Sequence, residues 1–394
     1  MLFKTLSGHT LIGLCALFAC TFTALTSEVS PVGLLIDMAQ TFHIPQGQAG
    51  LAVSAFALMV AFGAVPLTIA TSGMDRKLLM LLSLGGYVMS NLTVALAPTF
   101  LVLCLGRMIG GLAHAVLMSV VSAYAARLVP AAMTGRAIAF VYGGTSLGAI
   151  LGVPGSAAIG HFFDWRTAMF IITGLAAALL VCVALALPPV PTSPATPGGV
   201  PVIRSRQAVR AFTVVVLVDA IFFFAHNLLY TYVTPLLLQH GLPEADLSIL
   251  LLITGSLSIV GLWLSGLLVD RCPAGGVLMS GCMILVGMGL MNGHLLTSWQ
   301  CAGAIGIWCI GFAAITPCVM SGAIRANATQ PDVAGAAINS ASNFGILLGS
   351  AVGGQLLSSA GFSVLTPAAL AIAMGGMLLA VISPKAFPWK MPSN

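Results

Sequence analysis

Ionisable side chains are scarce in this chain, and three of them fall inside long apolar runs: Glu28, Arg107 and Asp219. Burying a charged side chain in a membrane costs about 2.5–3.5 kcal/mol on insertion scales, so such residues are functional candidates by default. A carboxyl group held away from water can gain and lose a proton as its surroundings change. We therefore predict that these three residues form a proton-coupling site.

Each of these residues also has a structural alternative. Glu28, one of two glutamates in the chain, is the predicted proton carrier, or else a permanently neutral carboxyl bonded to a neighbour. Arg107 keeps its charge and needs a carboxylate, carbonyl oxygens or water, and Glu28 lies at a similar depth, so Arg107 is either a coupling residue or a clamp. Asp219 is a second proton or cation site, or a partly hydrated group. We interpret His114 as a satisfied histidine between helices.

A second group of polar residues suits the binding of a small molecule. His226 and Tyr230 lie four residues apart, so they share one helix face, and Asn227 adjoins them. Asn339 and Asn343 have the same spacing. We predict that these five residues contact a substrate in a cavity, and polar packing between helices is the alternative for each set.

Composition places all of these residues in an integral membrane protein. Of 394 residues, 59% are hydrophobic and 6% are charged, which is too little charge for a soluble protein of this length. The nine cysteines include no CxxC pair, which favours free thiols over disulfides or a metal site. The sequence shows no P-loop and no nucleophile–base set, so we expect neither a cofactor, an enzyme nor direct drive by ATP.

Apolar runs of about 20 residues recur along the chain, and each can cross about 30 Å of hydrocarbon as a helix. We predict an all-α protein with twelve transmembrane helices in two six-helix pseudo-repeats around a central cavity. The predicted domains are an N-terminal bundle over 1–188, a Pro-rich linker over 189–207 and a C-terminal bundle over 208–394. The predicted helices span 10–38, 47–72, 78–97, 99–124, 133–160, 166–187, 209–239, 245–268, 275–296, 299–323, 332–358 and 362–383.

Basic residues orient the predicted helices. With both termini in the cytoplasm, twelve of the fourteen basic residues fall in cytoplasmic segments, as the positive-inside rule requires. They are Lys4, Arg76, Lys77, Arg127, Arg136, Arg204, Arg206, Arg210, Arg271, Arg325, Lys385 and Lys390. The net charge of +5 therefore indicates contact with anionic lipid and not with nucleic acid.

Several motifs resemble the major facilitator superfamily, and within it the drug:proton antiporter branch. They include "LGRMIGG" in the fourth predicted helix, "GTSLGAILGVPG" in the fifth and "FFDWRTAMF" after it. The stretches "SEVSPVGLL" and "HNLLYTYVTPLL" resemble the arabinose and sugar efflux permeases and the related nucleoside and chloramphenicol exporters. The two halves also match each other, since "GAILGVPG" in the fifth helix resembles "GILLGSAVGG" in the eleventh.

The resemblance assigns a second set of residues to gating and conformational change. The family's loop motif between helices 2 and 3 ends in Arg76 and Lys77, although Ser72 stands where its aspartate is expected. The second half keeps Asp270 and Arg271 at the equivalent loop. In the fifth helix the exporter motif implies a role for four residues, namely Gly148, Gly152, Pro154 and Gly155.

Together these features predict a proton-coupled exporter of a small organic molecule such as a sugar, nucleoside or amphipathic drug, working by alternating access. A proton-linked importer of the same fold and a non-transporting membrane receptor are the alternatives. Its predicted partners are the small-molecule substrate, protons and the lipid bilayer, without nucleic acid. We expect a monomer in a bacterial-type inner membrane.

Overall fold

The computed structural model describes residues 8–130, 133–188, 205–269, 271–292, 297–329 and 331–389, and within them the chain is built from α-helices. In chain order these are α1(Gly8–Gly33), α2(Leu35–Thr41), α3(Gln46–Ala49), α4(Leu51–Ala70), α5(Arg76–Ala95), α6(Phe100–Leu128), α7(Thr134–Phe162), α8(Trp165–Ala186), α9(Arg206–Tyr230), α10(Val233–Gln239), α11(Glu244–Leu268), α12(Pro273–Leu290), α13(Ser298–Ala326), α14(Pro331–Ala360) and α15(Phe362–Val381). No strand occurs in the described residues.

The fifteen described helices form twelve transmembrane rods, because α1 with α2, α3 with α4, and α9 with α10 each make one interrupted rod. Eleven segments in the described part of the chain are long and apolar enough to cross a membrane. The twelfth rod is α14, which is long enough at 30 residues but more polar, with Asn339, Ser340, Ser342 and Asn343 in its first half. The predicted fold class of twelve helices in two pseudo-repeats is confirmed.

Three predicted helices are interrupted in the structure, and the run predicted over 47–72 breaks at Gly50. The run predicted as a helix over 10–38 breaks at Leu34, and the run predicted over 209–239 breaks at Thr231 and Tyr232. Hydropathy could not show either of these last two breaks because both sides of each break are apolar. The predicted linker also ends earlier than expected. The Ser205 hydroxyl accepts a hydrogen bond from the backbone N–H of Ala208, so α9 already begins at Arg206. Residues 189–204 lie outside the described residues.

The two repeats pack in the same way, which fixes their correspondence. α6 and α13 each contain 29 residues and each follows a capping threonine, Thr99 or Thr297. In the first repeat a Cβ on Gly148 of α7 would lie 2.8 Å from the Phe22 carbonyl oxygen of α1. In the second, a Cβ on Gly345 of α14 would lie 2.5 Å from the carbonyl oxygen of Ala220 in α9. Small residues thus let the same pair of helices approach closely in both repeats.

The repeats pack against each other along α4 with α14 and α7 with α11, and further hydrogen bonds join them at one end of the bundle. We name the end that carries residues 188 and 205 the linker end, and the opposite end the far end. At the far end the Tyr232 hydroxyl lies 3.2 Å from the Gly47 carbonyl oxygen and 2.5 Å from that of Ser350. The Thr234 hydroxyl donates to the Val32 carbonyl oxygen at 3.1 Å. These contacts form what we name the far-end seal, since Gly47 and Val32 belong to the first repeat and Tyr232 and Thr234 to the second.

Hydrogen bonds at the linker end join helices within one repeat. Lys77 Nζ donates to the Ala184 carbonyl oxygen at 2.8 Å, inside the first repeat. Arg325 donates to the Val269 carbonyl oxygen at 3.0 Å, inside the second. Apolar packing follows the same division. The largest buried cluster combines the second repeat with far-end residues of the first, among them Val32, Leu35 and Ala49.

Candidate functional site

Glu28 lies in the first repeat beside a histidine. Its Oε2 atom is 3.5 Å from His114 Nδ1 of α6, and that nitrogen is also 2.9 Å from the Tyr87 hydroxyl of α5. The Glu28 side chain is 14% exposed and that of His114 is 4% exposed. Three titratable groups from three helices therefore share one nearly buried site.

Arg107 is fully buried beside this group and is held by main-chain oxygens. Its guanidinium donates to the carbonyl oxygens of Ser27 at 2.6 Å, Glu28 at 2.7 Å and Ala52 at 3.1 Å. It also lies over the Phe56 ring, 4.4 Å from the centroid. The expected partnership of Arg107 with Glu28 is thus made through the backbone of Glu28, and the carboxylate faces His114 instead.

A proline explains why one of those carbonyl oxygens, that of Ser27, can accept from Arg107. Pro31 lies inside α1 and has no N–H, so the Ser27 carbonyl four residues earlier receives no helical hydrogen bond from it. The guanidinium fork fills the vacancy, because an arginine can donate along several directions from one planar group. The stretch "SEVSP" therefore supplies both the carboxyl group and the main-chain acceptors that hold its cationic neighbour.

His114, Tyr87, Ser27 and Asn91 are site residues that sequence reasoning missed or undervalued. Ser27 Oγ donates to Asn91 Oδ1 at 2.9 Å, and Asn91 Nδ2 donates to the Tyr87 carbonyl oxygen at 2.9 Å. The interpretation of His114 as a satisfied interhelical histidine holds for its Tyr87 bond but omits Glu28. A signal existed, since His114 follows Arg107 by seven residues and so lies on the same face of one helix.

Asp219 is 0% exposed, so its predicted partial hydration is wrong. α9 starts at Arg206, and packing against α14 covers the carboxyl group. The Ser342 hydroxyl donates to Asp219 Oδ2 at 2.7 Å, and Oδ1 has no hydrogen-bond partner among the described residues. Asp219 is therefore separate from the Glu28 group and belongs wholly to the second repeat.

The predicted cargo residues divide into three places. His226 and Tyr230 stack on each other in α9, with ring centroids 4.6 Å apart. Asn227 points elsewhere, since its Nδ2 donates to the Phe223 carbonyl oxygen and its Cβ lies against Gly349 of α14.

Asn343 Nδ2 donates to the backbone and side-chain oxygens of Asn339 at 3.0 and 3.2 Å, so this pair is bonded within α14. The five residues do not form one surface, because neighbouring positions on a helix face different directions.

The residues assigned to gating lie away from the buried groups. Arg76 and Lys77 begin α5 at the linker end, where Asp75 caps the helix by accepting from the Leu78 N–H at 2.8 Å. Arg271 is exposed between α11 and α12, and Asp270 lies outside the described residues.

In α7 a Cβ on Gly148 or Gly152 would collide with α1, whereas a Cβ on Gly155 would meet nothing within 4 Å. Pro154 leaves the Ile150 carbonyl without a helical N–H, and this oxygen faces Gly255 of α11 in the other repeat.

The described residues contain no group of three His, Cys, Asp or Glu side chains that could hold a metal ion. The protein instead has ionisable groups buried among membrane helices, in two repeats around a central cavity. This architecture is that of a membrane transporter.

Comparison with known proteins gives the family. The model of the Major Facilitator Superfamily matches residues 16–350, so the chain belongs to that family. It is a transporter and not an enzyme. The chain is 30% identical over 384 residues to chloramphenicol efflux pumps of two Mycobacterium tuberculosis strains, covering 92% of this chain and 90% of each relative.

Solved structures share the fold at low identity. A partially occluded inward-open xylose transporter from E. coli superposes with a TM-score of 0.74 at 14% identity, covering 98% of this chain and 100% of that one. A bacterial homologue of the human lysosomal transporter Spinster, inward-facing, superposes with a TM-score of 0.69 at 15% identity, covering 97% of this chain and 95% of that one.

Proposed function

We propose that this protein is a proton-coupled exporter that moves a small organic molecule out of a bacterial cell across the inner membrane. The observation that carries the proposal is the contact between Glu28 and His114, buried in the first repeat beside the fixed charge of Arg107. Membrane helices tolerate such groups where transport uses them. The full-length similarity to chloramphenicol efflux pumps supports outward movement of a drug.

The linker end faces the cytoplasm in this proposal. Arg76, Lys77, Arg271 and Arg325 lie at that end, whereas Arg166 lies at the far end, and this excess is what the positive-inside rule requires. The far end is then the outer surface. Since the far-end seal joins the two repeats there, the structure corresponds to a cavity open toward the cytoplasm. The unit is a monomer of two bundles, and the second bundle begins at Arg206.

The proton step follows from the geometry around Glu28. Deprotonated Glu28 leaves a negative charge between His114 and the Arg107 guanidinium, where opposite charge stabilises it. Protonated Glu28 is neutral, and the positive charge of Arg107 is then balanced only by carbonyl dipoles. The two protonation states therefore differ in local charge and favour different arrangements of α1 and α6. Proton entry from outside and cargo binding from inside compete for this site.

Asp219 is a second candidate for proton binding. Its carboxyl group is buried with one oxygen unpartnered among the described residues, and its Ser342 bond links α9 to α14. Replacement by asparagine keeps an oxygen acceptor for Ser342 and removes only the ability to titrate. Asp219→Asn therefore separates a packing role from a proton role.

The test is export of chloramphenicol from an efflux-deficient bacterium by wild type and Glu28→Gln at equal membrane expression. Asp246→Asn is a matched control, because it also turns an acid into its amide and Asp246 lies exposed in the first turn of α11. We expect wild type and the control to lower drug accumulation and Glu28→Gln to fail. In inside-out vesicles, drug addition should release protons only when Glu28 is present.

Two results would contradict the proposal. Export by Glu28→Gln at the wild-type rate would assign Glu28 a structural role. A rise in cellular accumulation with the wild type would show import. Loss of export in Asp219→Asn, with export kept in Glu28→Gln, would move proton coupling to the second repeat.

A further inference from the structure

Four aromatic side chains from two helices of the second repeat form a cluster. His226 and Tyr230 lie four residues apart on α9, and Trp308 and Phe312 lie four apart on α13. His226 stacks on Phe312 with centroids 3.4 Å apart and meets Trp308 edge-on at 5.0 Å. Tyr230 meets Trp308 edge-on at 6.0 Å. We name these four residues the aromatic cluster.

The aromatic cluster takes the place that the Glu28 group has in the first repeat. Thr99 and Thr297 cap equivalent helices of the two repeats. His226 follows Glu28, and Phe312 follows His114, by the same number of residues as Thr297 follows Thr99. Both pairs join the same two helices of their repeats, and both are in contact. The two pairs therefore occupy equivalent positions in the two repeats.

Two nitrogens in the aromatic cluster have no hydrogen-bond partner among the described residues. They are Trp308 Nε1 and His226 Nδ1, in side chains that are 0% and 6% exposed. Buried polar atoms without partners are rare, and each one calls for an explanation. Tyr230 and Phe312, which contact these two residues, are partly exposed. A bound molecule that reaches past them would satisfy both nitrogens.

We propose that the aromatic cluster is a cargo subsite for a flat aromatic ring that carries a hydrogen-bond acceptor such as a carbonyl or nitro group. This inference rests on the proposed transport function and specifies its cargo class. The ring stacks on Tyr230 or Phe312, since offset aromatic stacking favours such pairs. The indole N–H of Trp308 can only donate, so the group that meets it must accept. The imidazole Nδ1 of His226 donates to the same group.

The ligand series that tests this subsite contains 4-nitrobenzyl alcohol, benzyl alcohol and cyclohexylmethanol. Equilibrium dialysis against purified protein in nanodiscs measures binding, and empty nanodiscs correct for uptake by lipid. We expect wild type to bind the nitro compound at least about 10-fold more tightly than benzyl alcohol, since a buried donor left unpaired is costly. Cyclohexylmethanol should bind least, because it cannot stack.

Trp308→Phe keeps a ring and removes the donor, and Trp299→Phe is the control because Trp299 is 67% exposed. We expect the preference for the nitro compound to fall to about 2-fold in Trp308→Phe, or less, and to persist in the control. Phe312→Leu should weaken both aromatic ligands. An unchanged preference in Trp308→Phe would overturn the proposal, as would equal binding of cyclohexylmethanol.

This binding measurement uses no proton gradient, so it is independent of the export test. A protein that fails to export would still show the nitro preference if the subsite is correct. Conversely, if wild type showed no preference for the nitro compound, the proposed subsite would be wrong, and the conclusion from export by Glu28→Gln would be unaffected.

Discussion

The hydrogen bonds of the far-end seal stabilise the conformation in which the far end is closed, and this stabilisation can be measured. Three hydrogen bonds cross between the repeats there, from Tyr232 to Gly47, from Thr234 to Val32 and between the hydroxyl groups of Ser54 and Ser350. The double variant Tyr232→Phe/Thr234→Val removes the hydroxyl donors of the first two and little volume. Each hydrogen bond contributes about 0.5–1.5 kcal/mol, so the closed far end should lose about 1–3 kcal/mol relative to the open one. That corresponds to a shift of about 5- to 150-fold in the conformational equilibrium.

Spin-label distances can measure this shift. Gln40 and Gln355 are exposed at the far end in different repeats, and cysteines placed there carry the labels once the nine native cysteines are replaced. A second label pair at the exposed positions Ser72 and Arg271 reports on the linker end. We expect the double variant to lengthen the far-end distance and shorten the linker-end distance.

The matched control is Thr173→Val, because the Thr173 hydroxyl bonds to Met169 within a single helix. This variant should leave both distance distributions unchanged. An unchanged far-end distance in Tyr232→Phe/Thr234→Val would refute the role of these hydrogen bonds. A changed distance in Thr173→Val would show that the distances respond to loss of any hydrogen-bonded hydroxyl group and not to the seal. The result does not depend on knowing the cargo.

Three further changes have defined outcomes. Arg107→Lys loses at least two of three charge-assisted hydrogen bonds to carbonyl oxygens, so thermal unfolding should show a free energy of unfolding lower by about 3 kcal/mol or more. We also expect transport to be lost, and full activity would contradict the role of these three hydrogen bonds. Gly349→Val places a Cβ 2.8 Å from the Phe224 carbonyl oxygen and should lower the free energy of unfolding by about 1–3 kcal/mol in the same assay. Gly375→Val is the control, because a Cβ there has nothing within 4 Å, and it should leave the free energy of unfolding unchanged. Burial, with the carboxylates of Asp164 and Glu244, raises the pKa of Asp37 on α2, and His161 lowers it. The conformation with the far end closed therefore binds more protons, and its stability should fall as pH rises through that pKa. We expect the Gln40–Gln355 distance to lengthen with rising pH in wild type, and to change less with pH in Asp37→Asn.

The sequence predicted the fold because hydropathy, basic residues and glycine spacing all act over long segments. It could not locate the helix interruptions at Leu34 and Tyr232, since apolar residues continue through both. It also could not show which helix faces meet. For that reason Asn227 was grouped with His226, although the structure turns it toward Gly349.

The candidate site was only partly predictable for a related physical reason. Glu28 and Arg107 are visible in sequence because charge is rare in apolar helices, whereas Tyr87 and Trp308 are ordinary residues in a membrane protein. Their roles depend on contacts between helices that lie far apart in the chain. The main-chain acceptors around Arg107 were hidden as well, since they depend on contacts between helices and, for Ser27, on a proline four residues away that frees its carbonyl.

The correspondence between the Glu28–His114 pair and the His226–Phe312 pair has an evolutionary consequence. One architecture occurs twice, but only one copy carries a titratable acid at this position. Under the proposed function, descendants of such a chain can exchange aromatic residues in the second copy and acquire new specificity while the first copy, which is proposed to bind the proton, stays intact. The residues that select the cargo then change independently of the residues that bind the proton.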